Sequence, residues 1–316
     1  MASASVDPSD GVVPTVATGP ILGDVHRAVD LFLSNRFADA LALGDAAAAV
    51  SPFHALIKAT VLTLQAVMTM APADADHALD ALDDALALTS RFRRRASGVL
   101  DFMAHLFVET PLSAYSVNEI YAELLWAQAV LLRAAVHILV EQSFMNLIRS
   151  AVNVRTAYNA FQTLSGYVAT ARQAVADGTA SATASAVYAA AASDDFVSGV
   201  LLGSGAFDLV LSLAPSSAVP VMKLFGFSGS RPRGLAALAE GGQLNGYAAR
   251  ICDLILLMYR LILVKLLAIH DSPLEDVERI LSANLERYPT GALFLYFRVR
   301  SLAAAAWARG RHLSSG

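Results

Sequence analysis

A chain of 316 residues that is 56% hydrophobic and only 16% charged can bury a large core, which excludes intrinsic disorder for most of its length. Its net charge of -4 argues against nucleic acid as a partner. The single cysteine, Cys252, excludes an internal disulfide and a multi-thiolate metal site, and suits a reducing compartment.

The first residues, Met1 to Asp10, carry acid and no base, so they do not form a secretory signal. Residues 1–21 read as a flexible lead-in. Behind Asp24 as N-cap, the positions Val25, Ala28, Val29, Leu31 and Phe32 make one helical face. Asn35-Arg36 breaks that pattern and residues 37–47 restart it. A long apolar helix over 53–70 stops at the Ala71-Pro72 step, and Asp74 opens the next one. Residues 110–113 form a loop. Ser116 and Glu119 have capping-box spacing for a helix reaching past Val140. Further helices are predicted over 142–175, 195–213, 231–240, 245–269, 273–287 and 291–309. Between them, Ala176 to Asp195 is an Ala/Ser/Thr-rich stretch, either a surface loop or a loosely packed helix. No window alternates with period two, so the class is all-α. A divide near residue 180 separates a helical-hairpin region, 22–180, from a Gly-rich and C-terminal helical region, 181–316.

The stretch Ile251–Ile269 is long enough to span a bilayer, but it contains Asp253, Arg260 and Lys265. A helix buried between two others is apolar all round in the same way. A soluble core helix is therefore the expectation.

No catalytic constellation emerges. Gly203-Ser204-Gly205 has Asp208 at the third glycine position of a dinucleotide fingerprint, and no strand precedes it. Residues 226–230 almost spell a nucleophile elbow, but Ser230 replaces the last glycine and the sheet is missing. His77 shares a face with Asp80 and Asp84, too few ligands for a metal site. Cys252 lies on a very apolar helix and reads as an inert core residue. Neither cofactor nor metal is expected. Asp76, Asp80, Asp83 and Asp84 share a helix face, and the following Arg91, Arg93, Arg94 and Arg95 are placed to screen them. The same arginines, with Phe92 among them, could instead contact anionic lipid or an acidic peptide.

Several blocks together resemble the tetratricopeptide repeat protein 39 family, which includes the fungal inclusion-body clearance proteins. The most specific block runs through Phe196, Ser198, Gly199, Gly203, Gly205, Phe207 and Pro215. It continues through Gly226-Phe227-Ser228-Gly229, Gly234 and Glu240-Gly241. A second runs from Phe144 to Arg149 and from Val154 to Tyr158, and a third is Tyr288-Pro289 with Gly291-Ala292-Leu293-Phe294. Asn35 to Leu41 and, more weakly, Asp76 to Leu82 are similar to the second-helix opening of a tetratricopeptide repeat. The resemblance covers about residues 22–300. It implies a stacked α-solenoid of divergent tetratricopeptide-like hairpins with no catalytic centre, linked to lipid homeostasis or the clearance of protein inclusions. It also implies a cytoplasmic setting, at the periphery of the mitochondrial outer membrane or lipid droplets, with the nucleus left open.

Physically, Gly199 and Gly203 have small-x-x-x-small spacing with Gly205 beside them, the pattern of closely packed helix backbones. Relative to the family pattern the C-terminal repeats are absent, leaving the helix over 291–309 with Leu293, Phe294, Tyr296, Phe297, Leu302 and Trp307. A solenoid end needs a polar outer face. Self-association or a covering partner is therefore expected there. Two functions compete: a non-catalytic scaffold binding proteins along its concave surface, and a peripheral protein of membranes or lipid droplets.

Overall fold

The computed structural model describes residues 16–94, 110–140, 151–179, 185–213, 226–267 and 274–314. Every element among them is helical. Helix α1 (Gly19–Leu33) begins earlier than its apolar face implies. Its cap is Thr18, with Pro20 in the first turn, while Asp24 lies inside the helix with its carboxylate 3.4 Å from His54 Nε2. Asn35 turns the chain at φ 65° into α2 (Phe37–Asp45). Helices α3 (Pro52–Thr69) and α4 (Pro72–Thr89) each carry proline in the first turn, and Met70 between them is left-handed. Asp74 thus sits inside α4, where it accepts hydrogen bonds from Gln65 Nε2 at 2.9 Å and Thr69 Oγ1 at 2.6 Å.

After a short 3₁₀ turn at Leu112–Ala114, the capping box of Ser116 and Glu119 opens α5 (Val117–Leu139) as expected. Helix α6 spans Ala151–Ala176. Part of the Ala/Ser/Thr stretch is α7 (Ser185–Ala192), which buries Val187 and Ala191. Ser193 caps α8 (Asp194–Ser212), and Ser230 caps α9 (Arg231–Gln243). The predicted helix over 245–269 is divided. It comprises α10 (Ala249–Met258), a π-helical turn over Tyr259–Leu263 and a last turn at Val264–Leu266. Helices α11 (Leu274–Arg287) and α12 (Ala292–Ser314) complete the chain.

Consecutive helices pack against each other along most of the array, as stacked hairpins require. The fold is an all-α, tetratricopeptide-like solenoid. Two hydrophobic clusters hold it together. One joins α1, α3, α4, α5, α6 and α8; the other joins Phe32, Leu33, Ala40 and Val61 to α10, α11 and α12. Both clusters draw on residues from either side of position 180. The first and last hairpins also meet directly. Asn35 Nδ2 donates to the Thr290 carbonyl at 2.6 Å, and Ala292 N donates to Asn35 Oδ1 at 2.9 Å. Asp30 pairs with Arg287 at 3.0 Å and accepts from the Tyr288 hydroxyl. The first and last hairpins thus close on each other, and the array holds an apolar chamber that is open to solvent on one side.

One helix among the described residues is long and apolar enough to cross a membrane. It is α8, and 56% of its apolar window is buried by neighbouring helices. In the Ile251–Ile269 stretch, Cys252, Leu254, Leu256, Leu257, Tyr259, Leu261 and Val264 are all buried.

Candidate functional site

The glycine block folds as the hairpin of α8 and α9 and the turn leading into α10. At Gly205 an added Cβ would lie 3.1 Å from the Gly234 carbonyl oxygen, and at Gly234 it would lie 2.8 Å from the Gly205 oxygen. The two backbones touch, which no larger residue permits. Gly203 faces the Phe161 ring, Gly199 faces Leu124 and the Tyr247 hydroxyl, and Gly241 faces the Cys252 sulfur. Phe196 packs edge-on to Tyr121 with centroids 5.2 Å apart, and Phe207 packs on Phe161 at 5.7 Å. Ser198 Oγ donates to the Asp195 carbonyl and accepts from Ala248 N. Gly226 has φ +70°, the left-handed conformation glycine adopts without strain. Phe227 packs on Tyr158, whose hydroxyl donates to the Ser228 carbonyl at 3.1 Å, and Gly229 lies against Leu211. Glu240 forms a half-exposed ion pair with Arg172 at 2.7 Å. Pro215 lies outside the described residues.

Two contributors to this hairpin escaped the sequence reading. Asp208 is buried and takes a two-pronged ion pair from Arg233, with Arg233 Nη2 2.7 Å from its Oδ1. Gly246 lies where a Cβ would sit 2.1 Å from the Asp194 carbonyl oxygen.

The arginine cluster is largely spent within the chain. Arg93 pairs with Glu123 at 2.8 Å and stacks 3.9 Å over Trp126, while Arg94 donates to the Ala114 carbonyl beside Tyr115. Arg91 is exposed, and Arg95 lies outside the described residues. The acidic face of α4 is screened differently from expectation: Arg133 on α5 reaches Asp83 at 2.8 Å. Among the described residues, no group of three or more His, Cys, Asp or Glu could hold a metal ion. Cys252 is buried, and burial pushes its thiol well above the usual range, away from nucleophilic reactivity.

A chamber of about 370 Å³ between α1, α3, α5, α8 and α10 has room for another molecule. Its walls include Phe32, Phe53, Leu131, Ala206, Ile255 and Leu263. Three of its lining side chains, Thr60, Gln128 and Tyr247, carry polar atoms. The Tyr247 hydroxyl donates to Gln128 Oε1 at 3.1 Å, and Gln128 Nε2 donates to the Gly199 carbonyl at 3.2 Å. Burial pushes the Tyr247 phenol far up, so it stays neutral. The chamber opens toward solvent at Val210 and Met258, lining residues that are 50% and 40% exposed.

A second open surface lies on α12. Phe294 and Phe297 are buried in the second cluster, while Leu295, Tyr296, Val299 and Leu302 are 42%, 50%, 65% and 55% exposed. Leu295, Val299 and Leu302 follow helical spacing and form one row.

Residues 26–306 match the family model of Iml2/Tetratricopeptide repeat protein 39. The chain belongs to this family. It is 25% identical over 288 residues to Tetratricopeptide repeat protein ttc-39B of Caenorhabditis elegans, a match covering 89% of this chain and 46% of that protein. The chain thus spans about half the length of the curated relative it matches. No solved structure matches it.

Proposed function

We propose that this chain is a non-catalytic helical-repeat scaffold that binds protein through the exposed apolar row of α12. The observation that carries the reading is the contrast on that one helix. Its inner side is sealed by Phe294 and Phe297, while Leu295, Val299 and Leu302 face solvent in register. Water is a poor solvent for such a row, and a partner covering it recovers about 25 cal/mol per Å² of apolar area. Family membership supports the same reading, since stacked helical hairpins serve as interaction surfaces. By the same membership, the proposal extends to lipid homeostasis or the clearance of protein inclusions in the cytoplasm.

The test is light scattering of the purified full chain across a concentration series. Self-association that is removed by Val299→Asp, with the melting temperature unchanged, is the expected result. A wild-type chain that stays monomeric at high concentration would overturn the assignment of that row. Flotation of a lysate on a density gradient tests the alternative that the chain resides on membranes or lipid droplets; the scaffold reading expects it to remain with soluble assemblies.

A further inference from the structure

The chamber serves no purpose in the scaffold reading, and its size and chemistry narrow what fills it. Apart from Thr60, Gln128 and Tyr247 its described lining is apolar, so an extended peptide entering it would find few partners for its backbone N–H and C=O groups.

Gln128 and Tyr247 bond each other, and the rest of the described lining offers ordered water few polar partners. The volume falls in the roughly 300–1,000 Å³ range of small-molecule pockets.

Among the described residues no lining side chain is charged, so a charged headgroup is best left in water. The exposed residues Val210 and Met258 mark where that water is reached. We propose that the chamber binds the hydrocarbon chain of a long-chain fatty acid, threaded between α1, α3, α5, α8 and α10 with its carboxylate at the mouth. A fatty acid is the simplest amphiphile with one chain for one chamber. Ala206 on α8 and Ala135 on α5 are small residues of the same lining.

The test uses the full chain, delipidated on a hydrophobic resin, and titrated with dansyl-undecanoic acid by fluorescence. One probe per chain is expected, displaced by dodecanoic acid, with affinity rising with competitor chain length and then levelling once the chamber is full. Ala206→Phe and Ala135→Phe fill the space from two different helices. Each is expected to weaken probe binding at least tenfold without lowering the melting temperature, and either folded variant suffices.

Absence of probe binding by the delipidated chain would overturn the proposal. So would unchanged binding in a folded filled variant. Affinity that keeps rising with chain length, as adsorption to a surface gives, would do the same, and so would displacement by cholesterol in preference to dodecanoic acid. Val299→Asp is expected to bind the probe as wild type does, so failure of the chamber and failure of the α12 interface are read separately.

Discussion

Helix α8 has two contrasting sides. Toward α9 it offers Gly205, whose backbone touches Gly234 so closely that a Cβ on either would lie 2.8–3.1 Å from a carbonyl oxygen, inside ordinary van der Waals contact. Toward α1, α3 and α5 it offers Leu202, Ala206 and Val210, and there the neighbours stand back to leave the chamber. Gly205 and Ala206 are adjacent in sequence, yet one marks contact and the other marks space. Residue size alone does not separate these cases; the arrival or absence of a facing backbone does. The glycine side is held by direct packing. Elsewhere polar clasps tie the first helices to later ones: His26 to Asp195, Asp30 to Arg287 and Tyr288, and Asn35 to the start of α12.

The largest effect is expected where packing is tightest. At Gly234 the obstacles are the Gly205 oxygen and Leu209 nitrogen, both 2.8 Å from an added Cβ and both backbone atoms that no rotamer change relieves. Gly234→Val should cost about 3 kcal/mol and lower the melting temperature by several degrees. Ala206→Phe, on the same pair of turns but facing the chamber, should leave it level or raise it. Equal losses in both would mean that the space beside α8 is not available to a side chain.

How much of this was legible in the sequence follows from range. The Ser116–Glu119 cap was readable because donor and acceptor lie within one turn, and the left-handed Asn35 showed itself as a break in periodicity. The glycines stood out by spacing and by resemblance. Their partners did not, because Phe161, Tyr247 and Cys252 arrive from other helices. Thr18 was passed over because the apolar face starts more than a turn after it. Gly246 has no local signal, since the Asp194 carbonyl it touches belongs to another helix. The chamber was the least legible element. Its walls come from five helices, each an ordinary apolar stripe on its own.

A smaller effect is expected at the clasp between the first and last hairpins. Asn35 holds φ 65°, and its amide bonds both the Thr290 carbonyl and the Ala292 N–H, one of the donors a helix start leaves unpaired. Asn35→Ala removes both bonds and forces a Cβ residue into the left-handed region, whereas Asn35→Gly removes the bonds alone. Urea unfolding should show a loss of about 2 kcal/mol for alanine, with glycine about 1 kcal/mol milder. Equal losses would assign the whole effect to the hydrogen bonds.

The smallest effect belongs to His26, on α1, whose Nε2 lies 2.7 Å from Asp195 Oδ1 at the start of α8. The hydrogen bond to Asp195 is the main cause raising the imidazole pKa above its ordinary value, with the Asp195 and Asp30 charges adding to it; burial and Arg287 oppose it. Because the folded value exceeds the unfolded one, the stabilisation is fully present below about pH 6.5 and is lost as pH rises through the folded value. The side chain is 37% exposed, so solvent screens the pair and the contribution stays below about 1 kcal/mol. Melting curves of wild type and His26→Asn between mildly acidic and mildly alkaline pH should therefore converge as pH rises. A gap that widened toward alkaline pH would mean that neutral, not protonated, His26 joins α1 to α8.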